Sequence, residues 1–157
     1  MIGVLLVDDD AAVREALRDY IEADPTLEVV GEAADGELAV RQAAILRPDV
    51  ILIDMQMPKL DSVGATAAIH AVQPEIRIIG LTTFDTDRYV SPLLRAGASG
   101  YLVKDTRPRD ILAAIHAALL GDSVLSPEVT RHVVADLRAS SPSAVRDENF
   151  ATQFTEK

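Results

Sequence analysis

The sequence predicts an α/β fold, a doubly wound parallel sheet with helices on both faces. Five short runs of Val, Ile and Leu recur along the 157 residues. The runs are continuous rather than alternating, which is typical of strands that are buried on both faces. A segment with helically spaced apolar residues follows each run. Strand followed by helix, five times over, indicates parallel strands joined by crossover helices.

The five predicted strands are short and spread along the first two thirds of the chain. They are Ile2–Val7, Leu27–Gly31, Val50–Ile53, Ile76–Leu81 and Gly100–Val103. For five strands connected in this way we predict the flavodoxin-like order 2-1-3-4-5. In that order the first and third strands are neighbours, and the strand order reverses between them.

Each predicted helix has a start or stop signal beside its apolar pattern. In chain order these signals are Asp10 before the first helix, the turn Asp35-Gly36 before the second, Pro74 after the third, Gly97 after the fourth, and Pro108 and Gly121 around the fifth.

We expect residues 1–121 to form one domain. A further helix is predicted at Pro127–Leu137, within an extension that spans residues 122–138. Residues 139–157 are predicted to be a linker, because Ala139–Asn149 is rich in Ser, Ala and charged residues.

Composition excludes several classes of function. The formal net charge is −10, so the chain has no basic surface for nucleic acid and no attraction to an anionic membrane. Cysteine is absent, which excludes disulfides, zinc–thiolate sites and thiol nucleophiles. No apolar stretch approaches the ~20 residues that a membrane span needs. We expect a soluble cytoplasmic protein without membrane contact.

Polar side chains follow four of the predicted strands. Asp8 and Asp9 follow the first strand, Asp54 the third, Thr82 ends the fourth and Lys104 follows the fifth. In an open α/β sheet, ligands bind beyond the carboxyl ends of the strands, at the point where strand order reverses. The sequence therefore predicts a site that contains three acids, one hydroxyl and one amine.

Two interpretations of the acids remain open from this pattern. The run Asp8-Asp9-Asp10 is either a solvated helix cap or part of a cation site. Three carboxylates in close contact would force a proton onto one of them unless a cation were present. Magnesium suits such oxygen ligands, and the backbone carbonyl of Gln56 would complete the set. We expect Asp10 to serve only as a helix cap.

The remaining groups suit a phosphoryl group bound to Asp54. A carboxylate can accept a phosphoryl group and form an acyl phosphate. Mg²⁺ and Lys104 would neutralise the charge of that group, since phosphoryl transfer depends mainly on positioning and charge. The hydroxyl of Thr82 and backbone N–H groups near Thr83 are candidate donors to the phosphate oxygens.

The motifs together resemble the receiver domain of bacterial two-component response regulators. The resemblance covers residues 2–120 and rests on "LLVDDD", "VILIDMQMPKLD", "IIGLTT" and "AGASGYLVKD", in that order. "LTTFD", "AGASGYLVKD" and "LSPEV" resemble the NarL/FixJ subfamily, whose output is a LuxR-type helix-turn-helix. "FTEK" at residues 154–157 resembles the opening of that output domain, which we expect to be missing here.

The resemblance implies a set of roles and partners. Asp54 is the residue that a sensor histidine kinase or a small phosphodonor phosphorylates, and Lys104 binds the phosphoryl group. Asp9, Asp54 and the Gln56 carbonyl are direct ligands of Mg²⁺, with Asp8 acting through water.

Thr82 and Tyr101 occupy the switch positions of this family. Tyr101 is expected to rotate from an exposed to a buried position when Asp54 is phosphorylated. The resemblance also implies a possible homodimer on phosphorylation and contact with DNA only through the missing output domain.

Two residues depart from the family pattern. Ser62 replaces the usual glycine after Asp61, so the loop after the third strand is expected to have another conformation. Asp105 replaces the usual proline after Lys104, which makes a cis peptide bond there less expected.

Two alternative functions remain. One is a free-standing receiver that acts through protein contacts. The other is a haloacid-dehalogenase-type phosphatase, in which Asp8-Asp9-Asp10 would supply the Asp-x-Asp motif, although Ala12 stands where that family has Thr or Val.

Overall fold

The computed structural model describes residues 1–57, 61–82 and 90–146. The strands within these ranges are β1 Ile2–Val7, β2 Leu27–Ala33, β3 Val50–Asp54, β4 Arg77–Thr82, β5 Gly100–Val103 and β6 Val124–Leu125. The helices are α1 Ala11–Glu22, α2 Gly36–Leu46, α3 Ser62–Val72, α4 Val90–Ala96, α5 Pro108–Leu119 and α6 Pro127–Arg146.

The strands form one parallel sheet in the described part of the chain, with the order β2-β1-β3-β4-β5-β6. The predicted flavodoxin-like order of the first five strands is confirmed. β6 was not predicted, because two apolar residues are too few to show a period. It extends the sheet by pairing Gly100 with Val124 and Tyr101 with Leu125.

The core explains why the strand sequences are continuously apolar. Leu6 and Leu52 pack in a cluster with residues of α1 and α5. Their neighbours Leu5 and Ile51 pack in a second cluster with residues of α2 and α3. Successive side chains of a strand point to opposite faces, so a strand covered by helices on both sides needs apolar residues at every position.

The register brings the carboxyl ends of four strands together. Val7 of β1 pairs with Ile53 of β3, Asp54 pairs with Leu81 of β4, and Thr82 pairs with Val103 of β5. The residues that follow these pairs therefore share one edge of the sheet.

Helix ends agree with most of the predicted signals. Asp10, Asp35 and Asp61 cap α1, α2 and α3 through hydrogen bonds from backbone N–H groups. Gly97 has a φ of +118° after α4, a backbone conformation that glycine adopts at little cost and other residues rarely adopt. No cis peptide bond occurs in the three described segments, as expected for Asp105.

The C-terminal part differs from the prediction. α6 extends to Arg146, so residues 139–146, predicted as linker, are helical. The physical reason is that Ala and Arg are strong helix formers, whose propensity outweighs that of the serines between them. The rest of the predicted linker, with Phe154–Lys157, lies outside the described residues.

α6 packs against α4 and β5. Val129 is 1% exposed and shares an apolar cluster with Val90, Leu93 and Tyr101. The hydroxyl of Ser91 donates to Asp136 Oδ2 over 2.9 Å, which links α4 to α6. None of the helices in the described ranges is long and apolar enough to cross a membrane.

Candidate phosphoacceptor and metal site

Three carboxylates meet at the carboxyl end of the sheet. One oxygen each of Asp8, Asp9 and Asp54 lies within 4.8 Å of the others. Asp8 and Asp54 are 2% and 3% exposed, whereas Asp9 is exposed. The structure thus brings together the three acids that the sequence placed at the ends of β1 and β3.

Lys104 provides the positive charge of the cluster. Its Nζ lies 2.8 Å from Asp54 Oδ1 and 3.4 Å from Asp8 Oδ2. The backbone N–H of Lys104 donates to the carbonyl oxygen of Thr82 over 2.7 Å, so the end of β4 fixes where this side chain begins. Burial lowers the pKa of Lys104, but the hydrogen bond to Asp54 and the charges of Asp54 and Asp8 outweigh it and raise the pKa overall.

The cluster still carries an excess of negative charge. Burial raises the pKa of Asp8, and the nearby charge of Asp54 raises it further, against the opposing effects of the Asp10 N–H and Lys104. Three carboxylates against one ammonium leave a net negative site made of hard oxygen donors. Such a site fits Mg²⁺, which takes oxygen ligands and keeps several waters.

Asp10 has a different role from the two acids before it. Its Oδ1 accepts a hydrogen bond of 2.9 Å from the Ala12 N–H, so the predicted helix cap is confirmed. Its own N–H donates to Asp8 Oδ1 over 2.9 Å. The start of α1 therefore holds the Asp8 carboxylate in place.

Other predicted residues of the metal site and of the loops can be placed only in part. Gln56 is exposed, two residues beyond Asp54, and its carbonyl as a metal ligand stays a prediction. Thr83, which supplies the predicted backbone donors, lies outside the described residues.

Thr82 and Tyr101, the predicted switch residues, are both buried. Thr82 is 2% exposed at the end of β4, and Tyr101 is 0% exposed. Tyr101 is thus already buried in this structure, and its rotation on phosphorylation stays a prediction. Its ring packs in a cluster with Leu93 of α4. The missing side chain of Gly80 on β4 leaves room for Leu93, because a Cβ there would lie 2.5 Å from Leu93 Cδ2. Val129 of α6 packs in the same cluster.

Arg14 supports the site although sequence reasoning did not identify it. Its Nη1 donates to the carbonyl oxygen of Asp8 over 2.6 Å, and its Nε contacts Glu32 Oε1 at 2.7 Å. Arg18 contacts the other oxygen of Glu32, also at 2.7 Å. The hydrogen bonds from Arg18 and then Arg14 lower the pKa of Glu32. Two arginines four positions apart on one helix face were the signal that could have shown this.

Ser62 was noted in the sequence only because it replaces a glycine. In the structure it is 1% exposed, and its hydroxyl donates to the backbone carbonyl oxygen of Asp54. It therefore contacts the main chain of the candidate phosphoacceptor directly.

The sequence is similar to those of known response regulators. The family model described as response regulator receiver domain matches residues 4–116. The transcriptional regulatory protein LiaR of Bacillus subtilis is 41% identical over 156 residues, which are 99% of this chain and 74% of LiaR. The nitrate/nitrite response regulator NarL of Escherichia coli K12 is 36% identical over 149 residues, which are 95% of this chain and 69% of NarL.

Solved structures show the same similarity. A LuxR-family two-component response regulator from Aurantimonas sp. SI85-9A1 superposes with a TM-score of 0.80 at 34% identity, over 87% of this chain and 97% of that one. The isolated REC domain of RcsB from Salmonella enterica, solved with the phosphomimetic BeF3−, has a TM-score of 0.74 at 25% identity, over 83% and 97%.

Proposed function

The chain belongs to the response regulator receiver domain family and is the receiver of a LuxR/NarL-type response regulator; from this premise we propose that Asp54 accepts a phosphoryl group from a sensor histidine kinase. One observation carries the proposal. Lys104 Nζ lies 2.8 Å from Asp54 Oδ1, beside the carboxylates of Asp8 and Asp9. A buried acid next to a lysine and two further acids has the parts that an aspartyl phosphate requires.

The proposed step is an in-line displacement at phosphorus. A carboxylate oxygen of Asp54 forms a bond to phosphorus, and the bond from phosphorus to the histidine nitrogen of the kinase breaks. The nitrogen leaves with its electron pair, and the product is an acyl phosphate on Asp54. Lys104, which contacts Asp54 in the structure, moves to the phosphoryl oxygens and neutralises their charge.

Asp8, Asp9, Asp54 and the Gln56 carbonyl would hold the Mg²⁺ ion. When bound, the ion supplies further positive charge to the phosphoryl oxygens. The chain's own contribution is the fixed placement of these acids: the start of α1 and Arg14 hold Asp8, and the end of β3 holds Asp54.

The proposed output is a change of conformation that controls transcription through a LuxR-type domain. LiaR is a transcriptional regulatory protein, NarL is a nitrate/nitrite response regulator, and the Aurantimonas response regulator is of the LuxR family. RcsB is known from dimers bound to DNA. By analogy we expect homodimerisation on phosphorylation and contact with DNA through the output domain alone. We propose that the chemistry of this receiver is limited to its own phosphorylation and dephosphorylation. The phosphatase alternative has no support, because the receiver family model matches residues 4–116.

The experiment is incubation with Mg²⁺ and phosphoramidate, a small phosphodonor that needs no kinase. Wild type should gain one phosphoryl group that hydroxylamine removes, and Asp54→Asn should gain none. Asp19→Asn, at an exposed position of α1, is the matched control and should behave like wild type. Equal labelling of Asp54→Asn would place the acceptor elsewhere.

A further inference from the structure

The hydroxyl of Ser62 makes a buried hydrogen bond at the phosphoacceptor. Ser62 is the first residue of α3, and its Oγ donates to the carbonyl oxygen of Asp54. Both residues are almost fully buried, at 1% and 3% exposure. Without this donor the buried carbonyl would remain desolvated and without a hydrogen bond, which is energetically unfavourable. The hydrogen bond therefore stabilises the chain around Asp54.

The peptide group between Asp54 and Met55 is held from both sides. Its N–H, on Met55, donates to the carbonyl oxygen of Leu81 on β4 over 3.1 Å. Its carbonyl, on Asp54, accepts from Ser62. Because a peptide group is planar and rigid, two opposed hydrogen bonds fix its orientation.

Ser62 donates its hydrogen bond to Asp54 at the point where the pairing of β3 with β1 has ended. The pairing of β3 with β1 ends at Val7 and Ile53, so the Asp54 carbonyl lies one residue beyond the last pair on that side. α3 itself begins firmly, since Asp61 Oδ1 accepts from the Gly64 N–H over 2.7 Å. The start of α3 therefore holds the end of β3 in place.

We propose that Ser62 is a positioning residue for phosphorylation of Asp54, an inference that rests on the proposed function. By fixing the Asp54–Met55 peptide, Ser62 sets the direction of the Asp54 carboxylate towards Lys104. It also sets the direction in which the chain leaves β3 towards Gln56. Glycine, which is usual at this position in receiver domains, has no hydroxyl and cannot donate this hydrogen bond. The contact therefore depends on the serine of this chain.

The test compares four variants of the whole chain. Ser62→Ala and Ser62→Gly remove the hydroxyl, and Ser62→Thr keeps it. Thr66→Val is the matched control: Thr66 lies one turn further along α3, is 0% exposed, and its hydroxyl has no hydrogen-bond partner among the described residues. Two quantities are measured: hydrogen exchange of the Met55 amide without Mg²⁺, relative to global unfolding, and the rate of phosphorylation by phosphoramidate with saturating Mg²⁺.

In Ser62→Ala and Ser62→Gly we expect hydrogen exchange of the Met55 amide to be about tenfold faster, because one hydrogen bond is lost. Phosphorylation should be about tenfold slower, because the Asp54 nucleophile is slightly misplaced. Thr66→Val should match wild type, and Ser62→Thr should lie closer to wild type than Ser62→Ala. If Ser62→Ala does not fold, Ser62→Gly decides.

Three results would overturn the inference: wild-type values in the variants without the hydroxyl, equal slowing in Thr66→Val, or a Ser62→Thr variant as slow as Ser62→Ala. Failure of the proposed function is distinguishable, because wild type itself would then take up no phosphoryl group at Asp54.

Discussion

Asp8, Asp9 and Asp10 are three identical side chains with three different environments. Asp8 is buried beside Lys104, Asp9 is exposed at the edge of the carboxylate cluster, and Asp10 caps α1. The backbone produces the difference, because the strand ends at Val7 and the helix begins at Ala11. Adjacent charges are tolerated because one is paired with lysine and one is bound to a helix start.

The first prediction separates the roles of Asp9 and Asp10. Asp9→Asn should weaken Mg²⁺ binding about tenfold or more, since losing even a group that supports a metal ligand costs that much. Asp10→Asn removes the same charge one residue away but keeps the cap, because Asn is as good an N-cap as Asp. Calorimetric titration with Mg²⁺ measures both; equal losses would remove Asp9 from the ligand set.

The second prediction concerns pH and lies away from the site. The hydrogen bond from His116 Nε2, 3.0 Å from Asp24 Oδ2, is the largest cause that lowers the pKa of Asp24 from 3.8 to about 2. Because the pKa is lower in the folded state, this pair stabilises the fold above pH 3.8, and the contribution is lost as pH falls towards 2.

His116→Gln should therefore raise the pKa of Asp24 towards 3.8 and flatten the loss of stability between pH 4 and 2. An NMR titration of the Asp24 carboxyl carbon and urea unfolding at several pH values measure the two effects. An unchanged pKa in the variant would show that Thr26, the other donor to Asp24, is responsible.

Among the secondary-structure elements, the strands that are buried on both faces were the easiest to predict from the sequence. β1 and β3 were predicted closely because they are covered on both faces and need an apolar residue at every position. β6 and the second half of α6 were missed, because a two-residue strand has no period and a helix rich in Ser resembles a linker by composition. The positions of the three acids, Thr82 and Lys104 at one edge of the sheet were predicted correctly, because each of them stands at or just after the end of a recognisable strand. Arg14 was missed because the spacing of Arg14 and Arg18 shows a shared helix face but does not show that Arg14 contacts the Asp8 carbonyl.

A third prediction concerns β4 and β5, which carry Thr82 and Tyr101. A phosphoryl oxygen on Asp54 would accept a hydrogen bond from the Thr82 hydroxyl, worth ~1.5–3 kcal/mol because the acceptor is charged. That is enough for a roughly ten- to hundredfold shift between two states. Thr82→Ala should still take up the phosphoryl group but should respond weakly.

NMR spectra with and without beryllofluoride, which stands in for the phosphoryl group, measure this response. Because Tyr101 is already buried against Gly80, the signals to follow are those of the Tyr101 ring and of Leu93 and Val129, which share its cluster. If Thr82→Ala shows the full wild-type change in this cluster, the coupling through its hydroxyl is wrong.

The carboxylates of the site and the C-terminal helix α6 lie against different strands of the same sheet. The three carboxylates and Lys104 lie at the ends of the strands, and Tyr101 lies two strands away from β3 under α4 and α6. α6 contributes Val129 to the Tyr101 cluster, so a change that shifts this cluster is expected to reach α6. The net charge of −10 gives this chain no overall electrostatic attraction to nucleic acid.

Chemical mapping of the phosphoryl group shows whether Asp54 is the phosphoacceptor. After phosphorylation by phosphoramidate with Mg²⁺, borohydride reduces an aspartyl phosphate to homoserine, and mass spectrometry of the peptides locates the changed residue. We expect homoserine at residue 54 and unchanged aspartate at residues 8 and 9. Homoserine at another position, or none in a folded protein that holds Mg²⁺, would contradict it.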